Sequence, residues 1–393
     1  MAQLRVWMKQ LPLSILGLFL VSTAMFGQVW IEYVPADTPK SLPIPIDSNT
    51  ASFWKNGRFH AYSSTSHPIL NVFDTEFNLI SSTAIKVDSD RHFPMWIESV
   101  YDDGNGRLFA WYHYEVIGVC PNSTYTSPEV GAMVSTDGGY TYKDLGIVLR
   151  SGDPINCQAK NGYFASGHGD FSVIVDPEKQ FVYFLFSTYG GDVASQGIAM
   201  ARMPLLYLST PVGAAWKYYD GGWSEPGLGG RTTPIFAASV SWADWNTDAF
   251  WGPSVHWNTY LQSYVVLMSR SCCDVDWPQE GVYLTMNADL ADPTGWTTPY
   301  KVVDEGDWYP WFQGTGEGET SSLSGQTMHL FLRQTSEWDI VFRMPGDIPL
   351  PEDPVEGEDG SVSAVPSTWI LLPGTEKFTS PGAMFTGKSK VAP

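Results

Sequence analysis

Residues 95–115 read MWIESVYDDGNGRLFAWYHYE: an apolar strand, a turn dense in Asp, Gly and Asn, and a second strand crowded with aromatic side chains. Tight turns of this composition join antiparallel strands, because Gly and Asn accept the left-handed backbone such turns need. The same unit recurs as SFWKNGRFHAYSS (52–64), GDFSVIVDPEKQFVYFLFSTYG (169–190), WGPSVHWNTYLQSYVVLMSR (251–270) and LSGQTMHLFLRQTSEWDIVFRM (323–344). A single unit cannot bury its own apolar face, so repetition at this period points to radial or linear stacking. All-β units of this length predict a five-bladed β-propeller, whose innermost strands converge on a central channel.

Composition agrees with many strands and turns. The chain has 393 residues, 14% aromatic, only 16% charged, with 37 glycines. The net charge of −20 disfavours a nucleic-acid partner, which would need a basic stripe to neutralise phosphates. A neutral glycan suits this balance, and a monomer is expected.

At the N-terminus, Arg5 and Lys9 precede an apolar run from Leu11 to Val21, with Ser22 and Ala24 in the spacing of a signal-peptidase site. Residues 1–24 thus read as a secretory signal, too short for a stable membrane span. A secreted or periplasmic location follows, where disulfides form. Four cysteines allow three connectivities. Cys120 with Cys157 and Cys272 with its neighbour Cys273 is the simplest. Residues 25–45 are Pro-rich and read as an extended lead-in, 46–345 as the propeller, and 346–393 as linker and tail. Within that tail STWILLP (367–373) could dock as one strand or simply be a sticky tail.

The segment STDGGYTY (135–142) matches an Asp box, a turn in which the Asp carboxylate caps backbone N–H groups over a packed aromatic. It supports a propeller and says little about substrate. With these features together, the chain resembles the five-bladed propeller glycosidases of the arabinanase, invertase and levansucrase grouping, over about 300 residues of blade order and texture. That resemblance implies three carboxylates in a central funnel: an Asp from the first blade, an Asp from the third, and a Glu as general acid. Glycoside hydrolysis uses such a pair, one protonating the leaving oxygen and one attacking directly or through water.

Asp47, just before the first blade strand, fits the first position. Asp170, in the Gly-rich opening SGHGDFSVIVD, fits the second. For the acid, Glu98 lies in an apolar inner strand, where a carboxylate without a role or partner is costly. Glu225, in WSEPGLGG, suits the family's later placement, and Glu115 is a further candidate. The fructoside motifs of invertase-type relatives are absent. Sugar-binding candidates are Trp54, Trp96, His113, His168, Trp251, His256, Trp257, Asn258 and Trp308, since Trp faces stack on sugar rings and His and Asn bond hydroxyls. No cofactor or metal is expected, although His113, His168 and His256 could approach a cation on the axis. Two alternatives stand beside hydrolysis: a non-catalytic sugar-binding propeller, and a sialidase-like enzyme, which would call for an arginine cluster.

Overall fold

The computed structural model describes residues 28–275, 277–344, 347 and 369–372. The signal assigned to residues 1–24 and most of the C-terminal tail lie outside the described residues. The described chain forms a five-bladed β-propeller. Blade 1 holds Ser52–Lys55, Arg58–Ser63, Ile69–Phe73 and Leu79–Ala84, in that order from the axis. Blade 2 runs Met95–Asp102, Leu108–Val116, Ser127–Ser135 and Thr141–Leu149, and blade 3 runs His168–Val175, Phe181–Thr188, Gly197–Pro204, Trp216–Tyr219 and Gly222–Pro226. Blade 4 holds Ala249–Asn258, Ser263–Ser271, Gln279–Asn287 and Tyr300–Asp304.

Blade 5 is closed by distant chain segments. Pro310–Gly314, Thr327–Leu332 and Thr335–Arg343 are followed outward by Trp30–Ser41, and then by Trp369–Leu371. The Pro-rich stretch read as a lead-in is therefore, from Trp30 on, a strand of the last blade. Pairing the two ends of the domain in one sheet ties the ring shut and covers an otherwise open strand edge. Arg343 adds an ion pair to Glu32, 2.6 Å away, and lies over the Trp369 ring.

Period-two alternation explains the aromatic density. Along Phe181–Thr188, Phe184 and Phe186 face blade 2, packing with Phe109, Trp111 and Val130. Tyr183 and Leu185 face blade 4, against Val255, Tyr264 and Val266. The middle strands of the blades are buried on both faces, so they read as near-continuous apolar runs, whereas outer strands such as Leu79–Ala84 are exposed. The Asp box is formed as expected. Asp137 accepts hydrogen bonds from Tyr140 and Thr141, and these donors, with Ser135, outweigh the effect of burial and hold its carboxyl down at about 2. Cys120 is bonded to Cys157 and Cys272 to Cys273. No helix among the described residues is long and apolar enough to cross a membrane.

Candidate functional site

The chain enters every blade at the same end of the axis, so residues that open inner strands gather there. Three of the inner strands are bulged at that end. The register slips at Glu98 between Ile97 and Ser99, at Asp170 between Gly169 and Phe171, and between Trp251 and Ser254. A bulge leaves backbone groups unpaired and re-aims a side chain. Asp170 has φ +41°, a left-handed conformation that Asp tolerates better than most residues.

The freed groups bind one another across blades. The Phe171 N–H donates to Glu98 Oε2 at 2.8 Å. Asn49 Nδ2 donates to the carbonyls of Phe171 at 2.8 Å and Pro253 at 3.0 Å, so one amide ties blades 1, 3 and 4 together at the axis. Ser187 donates to the Asp170 carbonyl and accepts from the Gly252 N–H, both near 3 Å.

On this frame sits an acidic cluster. Glu98, His113 and Asp170 are all buried, with side-chain ligand atoms within 4.8 Å of one another. His113 Nδ1 lies 3.1 Å from Glu98 Oε1, and its Nε2 is 3.8 Å from Glu115 Oε1 with no hydrogen-bond partner. Tyr189 donates its hydroxyl to Asp170 Oδ2. Burial pushes Glu98 up to about 7, opposed by the His113 hydrogen bond and charge and reinforced by the charge of Asp170. Burial pushes His113 down, but Glu98, Asp170 and Glu115 together outweigh it and raise the imidazole to about 9. Asp170 is raised by burial, against the pull of His113 and Tyr189. The cluster thus holds at least one proton near neutrality.

Asp47 and Glu115 differ from that pair by touching solvent. Asp47 is exposed and Glu115 half-buried. The Asp47 carboxyl is raised by desolvation and by Asp170, and lowered by Arg333 and by the Trp96 indole N–H, which closes no hydrogen bond of normal geometry. Glu115 is raised by partial burial and by the charges of Asp170 and Asp47, against His113.

Of the residues expected at a site, Asp47, Trp96, Glu98, His113 and Asp170 are brought together. Trp251 and Trp308 open blades 4 and 5 beside them, with ring centroids 5.5 Å apart. Glu225 is not brought in. It lies on the outermost strand of blade 3, half-buried, and pairs with Arg231 at 2.8 Å. His168 turns away from the carboxylates and faces Lys217 Nζ at 2.8 Å. Burial lowers that lysine to about 7 and His168 well below its ordinary value.

His256, Trp257 and Asn258 end the inner strand that Trp251 opens. Seven residues at about 3.3 Å each put Asn258 some 20 Å down the axis. There His256 packs on Phe312, Trp257 on Tyr264, and Asn258 caps backbone groups of Tyr260, Leu261 and Gly325. Trp54 donates to the Glu319 carbonyl and packs on Phe59.

Reasoning from sequence did not single out Asn49, Tyr189, Tyr309 and Arg333. Tyr189 follows the second strand of its hairpin, which by antiparallel geometry ends where the first begins. Tyr309 and Arg333 adopt φ near +55°, which no residue type there announces. The Glu98–His113–Asp170 set offers a cation three ligand atoms. Two of them, His113 Nδ1 and Glu98 Oε1, are already engaged with each other.

No family model matches the chain, and no curated protein matches it. Among solved structures it is similar to an α-L-arabinofuranosidase from Lactobacillus brevis, with 14% identity, TM-score 0.47, and coverage of 82% of this chain and 95% of that one. It is similar to an endo-arabinase from Bacteroides thetaiotaomicron VPI-5482, with 11% identity, TM-score 0.46, and coverage of 78% and 95%. An exo-1,5-α-L-arabinanase from a bovine ruminal metagenomic library gives 12%, 0.45, 83% and 98%.

Proposed function

We propose that the protein is a secreted glycoside hydrolase acting on a neutral glycan at the open end of the channel. One observation carries this reading: four carboxylates converge there, two facing solvent and two enclosed beneath them. In this reading Asp47 is the group that attacks the sugar carbon or activates water. Glu115 is the general acid, because it reaches solvent while partial burial and the charges of Asp170 and Asp47 raise its carboxyl against the pull of His113, a shift that favours the proton-bearing form. Asp170 raises both from below. Glu98, whose side chain has no exposure, holds His113 in place and works through it. Trp96 and Trp308 offer ring faces to the sugar, with Trp251 buried behind Trp308.

The test is hydrolysis of a panel of aryl-glycosides and plant polysaccharides by wild type, Asp47→Asn, Glu115→Gln and Asp170→Asn. Turnover lost in all three, with melting unchanged, supports the assignment. A non-catalytic sugar-binding propeller is the second reading, favoured by the enclosure of Glu98 and Asp170. It predicts glycan binding that survives Asp170→Asn with no turnover by wild type.

A further inference from the structure

Propeller blades diverge with radius, so the wedge between two blades widens toward the rim and must be filled by large side chains. Between blades 3 and 4 it is incompletely filled. A cleft of about 200 Å³ remains, lined by Phe181, Arg202, Pro204, Trp216 and Trp223. Register places these on one face. Arg202 stands opposite Trp216, and Pro204 opposite Phe181. The hairpin formed by Trp216–Tyr219 and Gly222–Pro226 extends blade 3 outward and builds the cleft's outer wall.

Arg202 is held over two rings, its guanidinium carbon 4.5 Å from the Phe181 centroid and 4.8 Å from that of Trp223. Such stacking fixes the plane of the guanidinium and leaves its N–H groups pointing out along its edge. Arg202 belongs to none of the chain's arginine ion pairs among the described residues. Its polar neighbour is the Tyr183 hydroxyl. The carboxylates that act on Tyr183, Asp176 and Asp289, are spent on backbone N–H groups of their own turns. In a chain with 42 acidic and 22 basic residues, the only ionisable side chain lining this cleft is a cation. Trp216 beside it is 46% exposed, with no aromatic partner stacked upon it among the described residues.

We propose that this cleft is a second carbohydrate site, separate from the funnel, that binds a sugar unit bearing a carboxylate. The sugar's C–H face lies on Trp216, and its carboxylate takes the paired N–H donors of Arg202, a geometry that Lys cannot reproduce. The site anchors an acidic glycan and requires no turnover, so it stands or falls independently of the hydrolase reading.

The test is calorimetry of the full chain with trigalacturonate and with galactotriose as the neutral counterpart. The expected result is selective binding of trigalacturonate that weakens with added salt. That binding should fall at least about tenfold in Trp216→Ala and Arg202→Gln, fall partially in Arg202→Lys, and persist in Asp47→Asn. Trp216 is half-exposed on an outer strand, so its truncation leaves the fold intact, with a thermal melt as the check. Equal binding of both trisaccharides, binding of neither, binding unchanged in Trp216→Ala, or binding lost in Asp47→Asn would each overturn the proposal.

Discussion

Two successive layers of the inner strands carry opposite chemistry on one scaffold. At the open end the strands are bulged, Asp170 sits at positive φ, and four carboxylates share a space with one imidazole. In the next layer, at mid-strand, the polar groups that join the blades are neutral. Ser99 accepts the Val173 N–H at 2.9 Å and Ser172 accepts the Val255 N–H at 3.1 Å, so the inner edges of blades 3 and 4 are each satisfied by a serine of the blade before. Asn49, Glu98, Ser99 and Ser172 line a cavity of about 20 Å³ between the layers, room for about one water. The contrast teaches where a repeat fold places function: the serine layer spends its polar groups on joining blades, and the open end leaves them in competition.

The largest expected effect lies at Asp47 and Glu115. Removing either charge should lower turnover by roughly a hundredfold to ten-thousandfold, the range of one general acid or base. The melting temperature should barely move, since both side chains reach solvent. Steady-state kinetics on a substrate turned over by wild type provides the check. Wild-type rates in both variants would dissolve the functional half of the contrast.

Asp170 is the next lever. Asp170→Ala leaves the buried Tyr189 hydroxyl without its acceptor and should cost about 1–3 kcal/mol in denaturant unfolding. Asp170→Asn keeps an acceptor and tolerates the left-handed backbone, so it should unfold close to wild type while losing activity. Identical stability of the Ala and Asn variants would show that the bulge does not depend on this contact.

A pH titration sharpens the same point. Glu98, raised from 4.5 to about 7, and His113, raised from 6.5 to about 9, both hold protons more tightly folded than unfolded. The stabilisation this gives is complete below their unfolded values and is lost as pH rises through the folded ones. Asp137 acts oppositely: held at about 2, its contribution is lost as pH falls below 3.8. The cluster's own contribution to stability should therefore decline from about pH 5 to pH 9, against the buried Lys217, His168 and His256, whose lowered values make stability grow as pH rises toward their unfolded values. Glu98→Gln removes one titrating group and the main cause of the other's shift, so its melting temperature should fall less, or rise more, with pH than that of wild type. An unchanged slope would place the controlling protons outside the cluster.

How much of this was legible follows from geometry. Residues that open an inner strand carry a sequence signal, an aromatic or acidic residue at or just before the start of an apolar run. Asp47, Trp96, Glu98, Asp170, Trp251 and Trp308 were all found that way. His256, Trp257 and Asn258 have the composition of a sugar pocket, but strand length carries them to the wrong end. Glu225 was placed by chain order in a Gly-rich connection, and the hairpin it belongs to projects to the rim. Tyr189 stayed hidden because a bulge and a cross-strand neighbour, not a motif, aim its hydroxyl at Asp170.

The smallest effect completes the contrast. Ser172→Ala removes the side-chain acceptor of the Val255 N–H in the serine layer and should cost about 0.5–1.5 kcal/mol, the net worth of one hydrogen bond, or somewhat more if the N–H stays buried and unpaired. Its kcat and KM should equal those of wild type, because nothing charged or strained depends on that serine. Unfolding and kinetics measured on the same preparation separate the two quantities. A Ser172→Ala variant that loses turnover while keeping its stability would mean that the serine layer communicates with the carboxylates through the channel wall. The bulges would then be the route to examine, since Phe171, next to Ser172, donates directly to Glu98.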